Sequence, residues 1–203
     1  MTPAPRLLGA VLAGGEGRRF GAPKAEARLG GIPLAERAVA LLGAVVEEVV
    51  VVRSRPLPAP PAPVVPDRVE GMGPLGGLDA ALRHARDRGF DGVLLAACDL
   101  PFLTPALLGR VVSGLGSHPA AAPARRGGGI EPLCAAYRVE VLEEVERRLA
   151  REDRSLHALF RDVGGHVLAS AVAGEGDVDP FLNVNTVDDL ERAEAALHAG
   201  GDP

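Results

Sequence analysis

The feature that most constrains this chain is an apolar run that ends in glycine. Leu7 to Ala13 reads LLGAVLA, and Gly14 to Pro23 follows it as a polar, glycine-rich loop. A short apolar run without polar alternation fits a strand buried on both faces, which needs cover above and below. The same pattern recurs along the chain. Glu48 to Val52 is a second buried strand, and Gly92 to Ala97 is a third that runs directly into Cys98-Asp99-Leu100-Pro101. Ala120 to Ala124 and Leu133 to Tyr137 are weaker strands on either side of Arg125 to Gly129, which reads as a mobile loop. Helical spacing occupies Leu34 to Leu42, Leu75 to Arg88 and Val139 to Arg151. Thr104 caps a further helix that has Pro105 at its first position. Ser155 caps a short helix to Phe160. Thr186 with Asp189 three residues later resembles a capping box for a last helix, Val187 to His198. Pro56 to Pro66 cannot be helical and reads as a surface stretch. Phe181 to Asn185 reads as a last extended segment. Strands alternating with helices predict an α/β fold: a Rossmann-like, open, mostly parallel sheet with helices on both faces. No linker divides the 203 residues, so 1–203 is expected to form a single domain.

Charge and composition exclude several functions. Lys and Arg number 22 against 27 Asp and Glu, a net charge of −5, and aromatics make up 3% with no Trp. Neither a basic surface nor stacking platforms are available, so nucleic acid is not an expected partner. The two cysteines, Cys98 and Cys134, form neither a disulfide framework nor a zinc site, and a reducing cytoplasm is the expected compartment. No apolar run is long enough to span a bilayer. The N-terminal MTPAPRLLGAVLAGG faintly imitates a signal peptide but makes better sense as the first buried strand. His84, His118, His157, His166 and His198 show no metal-ligand spacing and read as surface or structural residues.

Ligands in open α/β sheets bind beyond the carboxyl ends of the strands, and the polar clusters fall there. The first is Leu12-Ala13-Gly14-Gly15-Glu16-Gly17-Arg18-Arg19-Phe20-Gly21-Ala22-Pro23-Lys24. Phe20 stands where a dinucleotide fingerprint requires Gly. No Gly precedes Lys24 directly and no Ser or Thr follows it, so this is not the P-loop of NTPases. Glycines still let backbone N–H groups approach phosphate oxygens, Arg19 offers a planar fork, and Lys24 a compact positive charge. The loop is thus either a phosphate cradle or a solvated surface turn. The second cluster centres on Asp99, which either holds a hard cation such as Mg²⁺ or begins a turn before Pro101. Cys98 reads as a small buried apolar residue. The third joins Asp67 to Gly71-Met72-Gly73-Pro74-Leu75-Gly76-Gly77, and either wraps a base or ribose or starts a helix. In the fourth, Phe181 to Thr186, Asn183 and Asn185 point to one side if the segment is extended. They either read a polar ligand or occupy a turn and a helix cap.

In order and spacing these clusters resemble the molybdenum cofactor guanylyltransferases of the nucleotidyltransferase superfamily. The family's L-A-G-G-x-S-x-R-M-G-x-x-K reads here LAGGEGRRFGAPK, and GPLGG, CDLP, PLCAAY and FLNVNT follow, covering about Leu7 to Leu197. Gly17 stands where Ser is common and Phe20 where Met is usual. Arg53 falls about where some members carry Asn, and Glu131 where Gln or His is common. The resemblance implies a nucleotide-diphospho-sugar transferase-like fold. It also implies a reaction in which the terminal phosphate of molybdenum-bound molybdopterin attacks the α-phosphorus of GTP, releasing pyrophosphate. It implies that Leu12, Ala13, Gly14 and Gly15 meet the nucleotide, that Lys24 and Arg19 neutralise phosphate charge, and that Asp67 contacts GTP. Asp99 would hold Mg²⁺, and Asn183 and Asn185 would lie on the acceptor or metal side of the crevice. Molybdopterin-handling or acceptor molybdoenzyme proteins are the implied protein partners. The related cytidylyltransferases carry L-A-A-G in the first loop, so Gly14-Gly15 with Pro74-Leu75 favours guanine. Another small-phosphate nucleotidyltransferase is the next alternative. A GTP-binding regulatory protein without catalysis would lack the equivalents of Lys24 or Asp99, and both are present.

Overall fold

The computed structural model describes residues 4–14, 24–53, 60–67, 71–169 and 178–199. Seven strands form one sheet in the order β5-β4-β1-β6-β8-β7-β9. They are β1 (Leu7–Leu12), β4 (Val49–Arg53), β5 (Val64–Pro66), β6 (Gly92–Ala97), β7 (Ala120–Pro123), β8 (Cys134–Arg138) and β9 (His166–Leu168). A small separate hairpin pairs β2 (Arg28–Leu29) with β3 (Ile32–Pro33). In the large sheet β8 alone runs against its neighbours; the β5-β4, β4-β1, β1-β6 and β7-β9 pairs are parallel.

The six residues of β1 and the six of β6 are all buried, as apolar runs without alternation require. Helices cover both faces. One face packs α2 (Gly73–Asp87), α4 (Leu142–Ala150) and α5 (Leu156–Asp162) onto Leu8, Ala10, Val50, Val52, Val93 and Leu95. The other packs α1 (Leu34–Gly43) and α3 (Pro105–Leu115) onto Leu7, Val11, Val51, Leu94 and Ala96. Alternate residues of each central strand thus serve opposite layers. The layers are tight at two glycines. A Cβ on Gly77 would lie 2.7 Å from Leu12 Cδ2, and one on Gly92 would lie 2.3 Å from the Tyr137 carbonyl oxygen.

The last helix, α6 (Val187–Ala199), packs on the β2–β3 hairpin through Leu29, Leu34, Val184 and Ala193. The Gly30 N–H donates to Glu194 Oε1 at 2.8 Å across the same contact. This packing returns the chain to the carboxyl ends of the central strands.

The expected caps form. Thr104 Oγ1 accepts from the Leu107 N–H at 3.2 Å, and Ser155 Oγ from the Ala158 N–H at 3.1 Å. Thr186 and Asp189 satisfy each other's backbone N–H groups at 3.1 and 2.9 Å. Three segments gain detail. In the proline-rich stretch, residues 54–59 lie outside the described residues, and Val64–Pro66 is a non-helical, largely exposed edge strand on β4, a place where proline is tolerated. Arg125 to Gly129 is a closed turn: Arg125 N–H meets the Gly129 carbonyl at 3.0 Å, and Gly128 N–H meets the Arg125 carbonyl at 3.2 Å. Positive φ at Gly127, Gly128 and Gly129 permits it. Residues 181–186 form no strand.

Candidate active site

From β1 the chain moves outward through β4 to β5, then crosses back to β6 on β1's other side. The gap between the ends of β1 and β6 is therefore the topological switch point, where such sheets bind ligands. Leu12 and Ala13 close the sheet there: the Leu12 carbonyl accepts from the Cys98 N–H at 3.1 Å, and the Ala13 N–H donates to the Val52 carbonyl at 3.0 Å. Gly14 is the first exposed residue past that edge. Gly15 and Arg19 lie outside the described residues. Lys24 opens a 3-10 turn, Lys24–Glu26.

Across the gap, Asp99 lies two residues past the end of β6 and is partly buried. Its carbonyl accepts from the Val184 N–H at 2.9 Å. This one bond ties the 181–186 segment to the end of β6 and sets Asn183 and Asn185 on either side of the tie. Asn183 Oδ1 is buried and makes no hydrogen bond among the described residues. The Asn185 N–H donates to Asp189 Oδ2 at 3.0 Å, so its backbone belongs to the cap of α6. Val184 and Phe181 are the buried anchors of the segment, which holds its course by packing and not by pairing. On β5's side, the Asp67 N–H donates to the Arg53 carbonyl at 3.1 Å, placing Asp67 on the same edge. The structure thus brings Gly14, Asp67, Asp99, Asn183 and Asn185 to one edge of the sheet.

Two further groups stand there that motif reading did not assign to the site. Arg53 ends β4, is 7% exposed, and has both Nε and Nη1 buried without a hydrogen bond among the described residues. Burial draws its guanidinium below the ordinary value, and the nearby Glu26 and Cys98 partly offset this. A charge at the end of a run of valines was the available signal. The second group is Glu131 with Arg125. Glu131 is 5% exposed, accepts the Leu133 N–H at 3.2 Å and takes Arg125 Nη1 on Oε2 at 2.8 Å. Burial pushes its carboxyl above the usual range, against Leu133, Arg125 and His157, while the charge of Asp99 pushes it the same way as burial. Cys98 and Cys134 are both buried.

Among the described residues no cluster of three or more His, Cys, Asp or Glu could hold a metal by itself. An oxygen set of the Asp99 carboxylate and the orphaned Asn183 amide suits a hard cation that completes its shell with phosphate and water. No helix among the described residues is long and apolar enough to cross a membrane.

The family model of the MobA-like NTP transferase domain matches residues 9–168. The chain is 33% identical over 199 residues to a molybdenum cofactor guanylyltransferase of Desulfosudis oleivorans, spanning 96% of this chain and 97% of that protein. It is 38% identical over 197 residues to one of Cereibacter sphaeroides, spanning 95% and 97%. The chain belongs to the molybdenum cofactor guanylyltransferase family. The crystal structure of molybdopterin-guanine dinucleotide biosynthesis protein A from Archaeoglobus fulgidus superposes with a TM-score of 0.79 at 28% identity, over 95% of this chain and all of that one. A 2-C-methyl-D-erythritol 4-phosphate cytidylyltransferase from Thermus thermophilus, at 20% identity and a TM-score of 0.65 over 93% of this chain and 98% of that one, shares the fold. The fold expected from the strand pattern is therefore the one the family uses.

Proposed function

We propose that the crevice between β1 and β6 transfers GMP from GTP to the terminal phosphate of molybdenum-bound molybdopterin. An oxygen of that phosphate attacks the α-phosphorus of GTP, the bond to the β-phosphate breaks, and pyrophosphate leaves. The product is the guanine dinucleotide form of the cofactor. The observation that supports this reading is the hydrogen bond from Val184 to the Asp99 carbonyl, which sets the Asn183 to Asn185 segment against the end of β6 at the switch point.

The chain's own groups divide the work. Gly14, with Leu12, Ala13 and Gly15, brings backbone close to the nucleotide. Lys24 and Arg19 neutralise the triphosphate and the leaving pyrophosphate. Asp67 and the buried donors of Arg53 face the nucleotide half; an incoming acceptor would satisfy donors left unpaired among the described residues. Asp99 and Asn183 would hold Mg²⁺, which when bound polarises phosphate oxygens and offsets their developing charge. Asn183 and Asn185 orient the acceptor, so catalysis is positioning plus electrostatic stabilisation. The whole chain reads as one nucleotidyltransferase domain. A cytoplasmic site of action fits a chain with two cysteines, both buried. The product would pass to molybdopterin-handling or acceptor molybdoenzyme proteins.

The test is anaerobic turnover with GTP, Mg²⁺ and molybdenum-molybdopterin, followed by pyrophosphate release. Wild-type protein is expected to release pyrophosphate only when all three are present. Asp99→Ala is expected to abolish release while keeping the wild-type circular dichroism spectrum. Near-normal release by that variant would remove Asp99 from the mechanism.

A further inference from the structure

Resting on that reading, we propose that Arg125 binds the acceptor's phosphate monoester and is the fixed cation of the acceptor half of the crevice. Arg125 lies just past the end of β7. The sheet runs β6, β8, β7 with β8 antiparallel to both, so β7 ends on the same edge as β6 and Asp99. Its guanidinium is held from two directions. Nη1 binds the buried Glu131 at 2.8 Å, and Cζ stands 5.8 Å from the centroid of the Phe181 ring. Phe181 opens the segment that carries Asn183 and ties to Asp99. Arg125 therefore belongs to the acceptor side by both contacts.

The side chain is 43% exposed, and its Nε and Nη2 make no hydrogen bond among the described residues. A planar fork pinned at one nitrogen and open at the others suits phosphate oxygens. The electrostatic setting favours such a group. Asp99, Glu131 and Asp179 bring carboxylates to this half; Asp179 Oδ1 itself accepts the Phe181 N–H at 2.9 Å. A phosphate monoester carries close to two negative charges at pH 7. A fixed cation from the protein offsets the repulsion beside the Mg²⁺ that Asp99 and Asn183 would hold. The closed turn from Arg125 to Gly129 fixes the residue's backbone, which lowers the entropy cost of using it.

The experiment compares initial rates of wild type, Arg125→Ala and Arg125→Lys under anaerobic conditions, varying molybdenum-molybdopterin at saturating GTP, with GTP affinity measured by calorimetry. Arg125→Ala is expected to raise the acceptor KM at least tenfold and leave the GTP Kd within twofold. Arg125→Lys, a charge without a fork, is expected to fall between. Phe181→Leu keeps apolar volume but removes the ring, and should raise the acceptor KM by a smaller factor. Melting temperatures close to wild type for the Arg125 variants would confirm that a folded site is being compared. An unchanged acceptor KM, or equal losses in GTP and acceptor binding, would overturn the assignment while leaving the enzyme reading intact. Wild-type protein that binds GTP without any turnover would overturn both.

Discussion

Arg53 shows how a single residue can be costly in the free protein and useful in the complex. A buried guanidinium with two nitrogens unpaired among the described residues is disfavoured by desolvation, which also draws its pKa below the ordinary value. Proteins keep such groups where a ligand completes them. Arg53→Met retains length and apolar packing but removes the donors. It is expected to leave the melting temperature equal to or above wild type and to weaken GTP binding at least tenfold, about 1.4 kcal/mol. A lower melting temperature with unchanged GTP affinity would make Arg53 a structural residue. Arg125 and Glu131 follow a related logic. There the buried carboxylate has its cation, and the cation keeps donors to spare.

At the scale of elements, the final helix places the acceptor-side asparagines, and its start is built from the Thr186–Asp189 reciprocal cap. The Thr186 hydroxyl, the Asn185 N–H and Arg192 hold the Asp189 carboxyl below the usual carboxylate range. A carboxyl depressed in the folded state binds fewer protons there than in the unfolded chain. Its contribution is thus fully present above the unfolded value of about 3.9 and is lost as pH falls through the folded value. Protection of the amides along Val187–Ala199, taken relative to their intrinsic exchange rates, should fall only on acidification below pH ~4, and Asp189→Asn should weaken protection at neutral pH. A carboxyl midpoint at or above about 3.9 for Asp189 would contradict the cap as the source of the shift. This cap was legible in the sequence because a capping box is local. So were β1, β6 and the Thr104 and Ser155 caps, each set by a few adjacent residues. What was not legible depends on distant partners. β5 exists because β4 offers an edge to a proline-flanked pair of valines. Among the described residues β9 pairs with β7 alone, some 45 residues earlier. Phe181 to Asn185 read as an extended segment; among the described residues it joins no strand, and α6 anchors it instead. The Arg125 turn looked mobile from its glycines, and the same glycines supply the positive φ angles that close it.

At the scale of the whole molecule, the site is a consequence of chain path. Buried strands on both sides of β1 force the connections to the sheet's ends, and the reversal between β5 and β6 opens the crevice. Asp99 was legible as a candidate because it ends an uninterrupted buried strand, and Asn183 because of its spacing from Asn185. Their meeting was not, since it needs α6 to dock on a hairpin about 160 residues earlier in the chain. Arg53 was marked as a departure from the family pattern but its role was not legible, and Arg125 escaped motif reading, because each carries meaning only through burial or through a partner. The central claim is that this crevice selects a guanine nucleotide for transfer. Titration calorimetry of the wild-type protein with Mg²⁺, comparing GTP with CTP, tests it most directly. The account predicts saturable binding of GTP at least tenfold tighter than CTP, about 1.4 kcal/mol of discrimination. Equal affinity, or a preference for CTP, would contradict it.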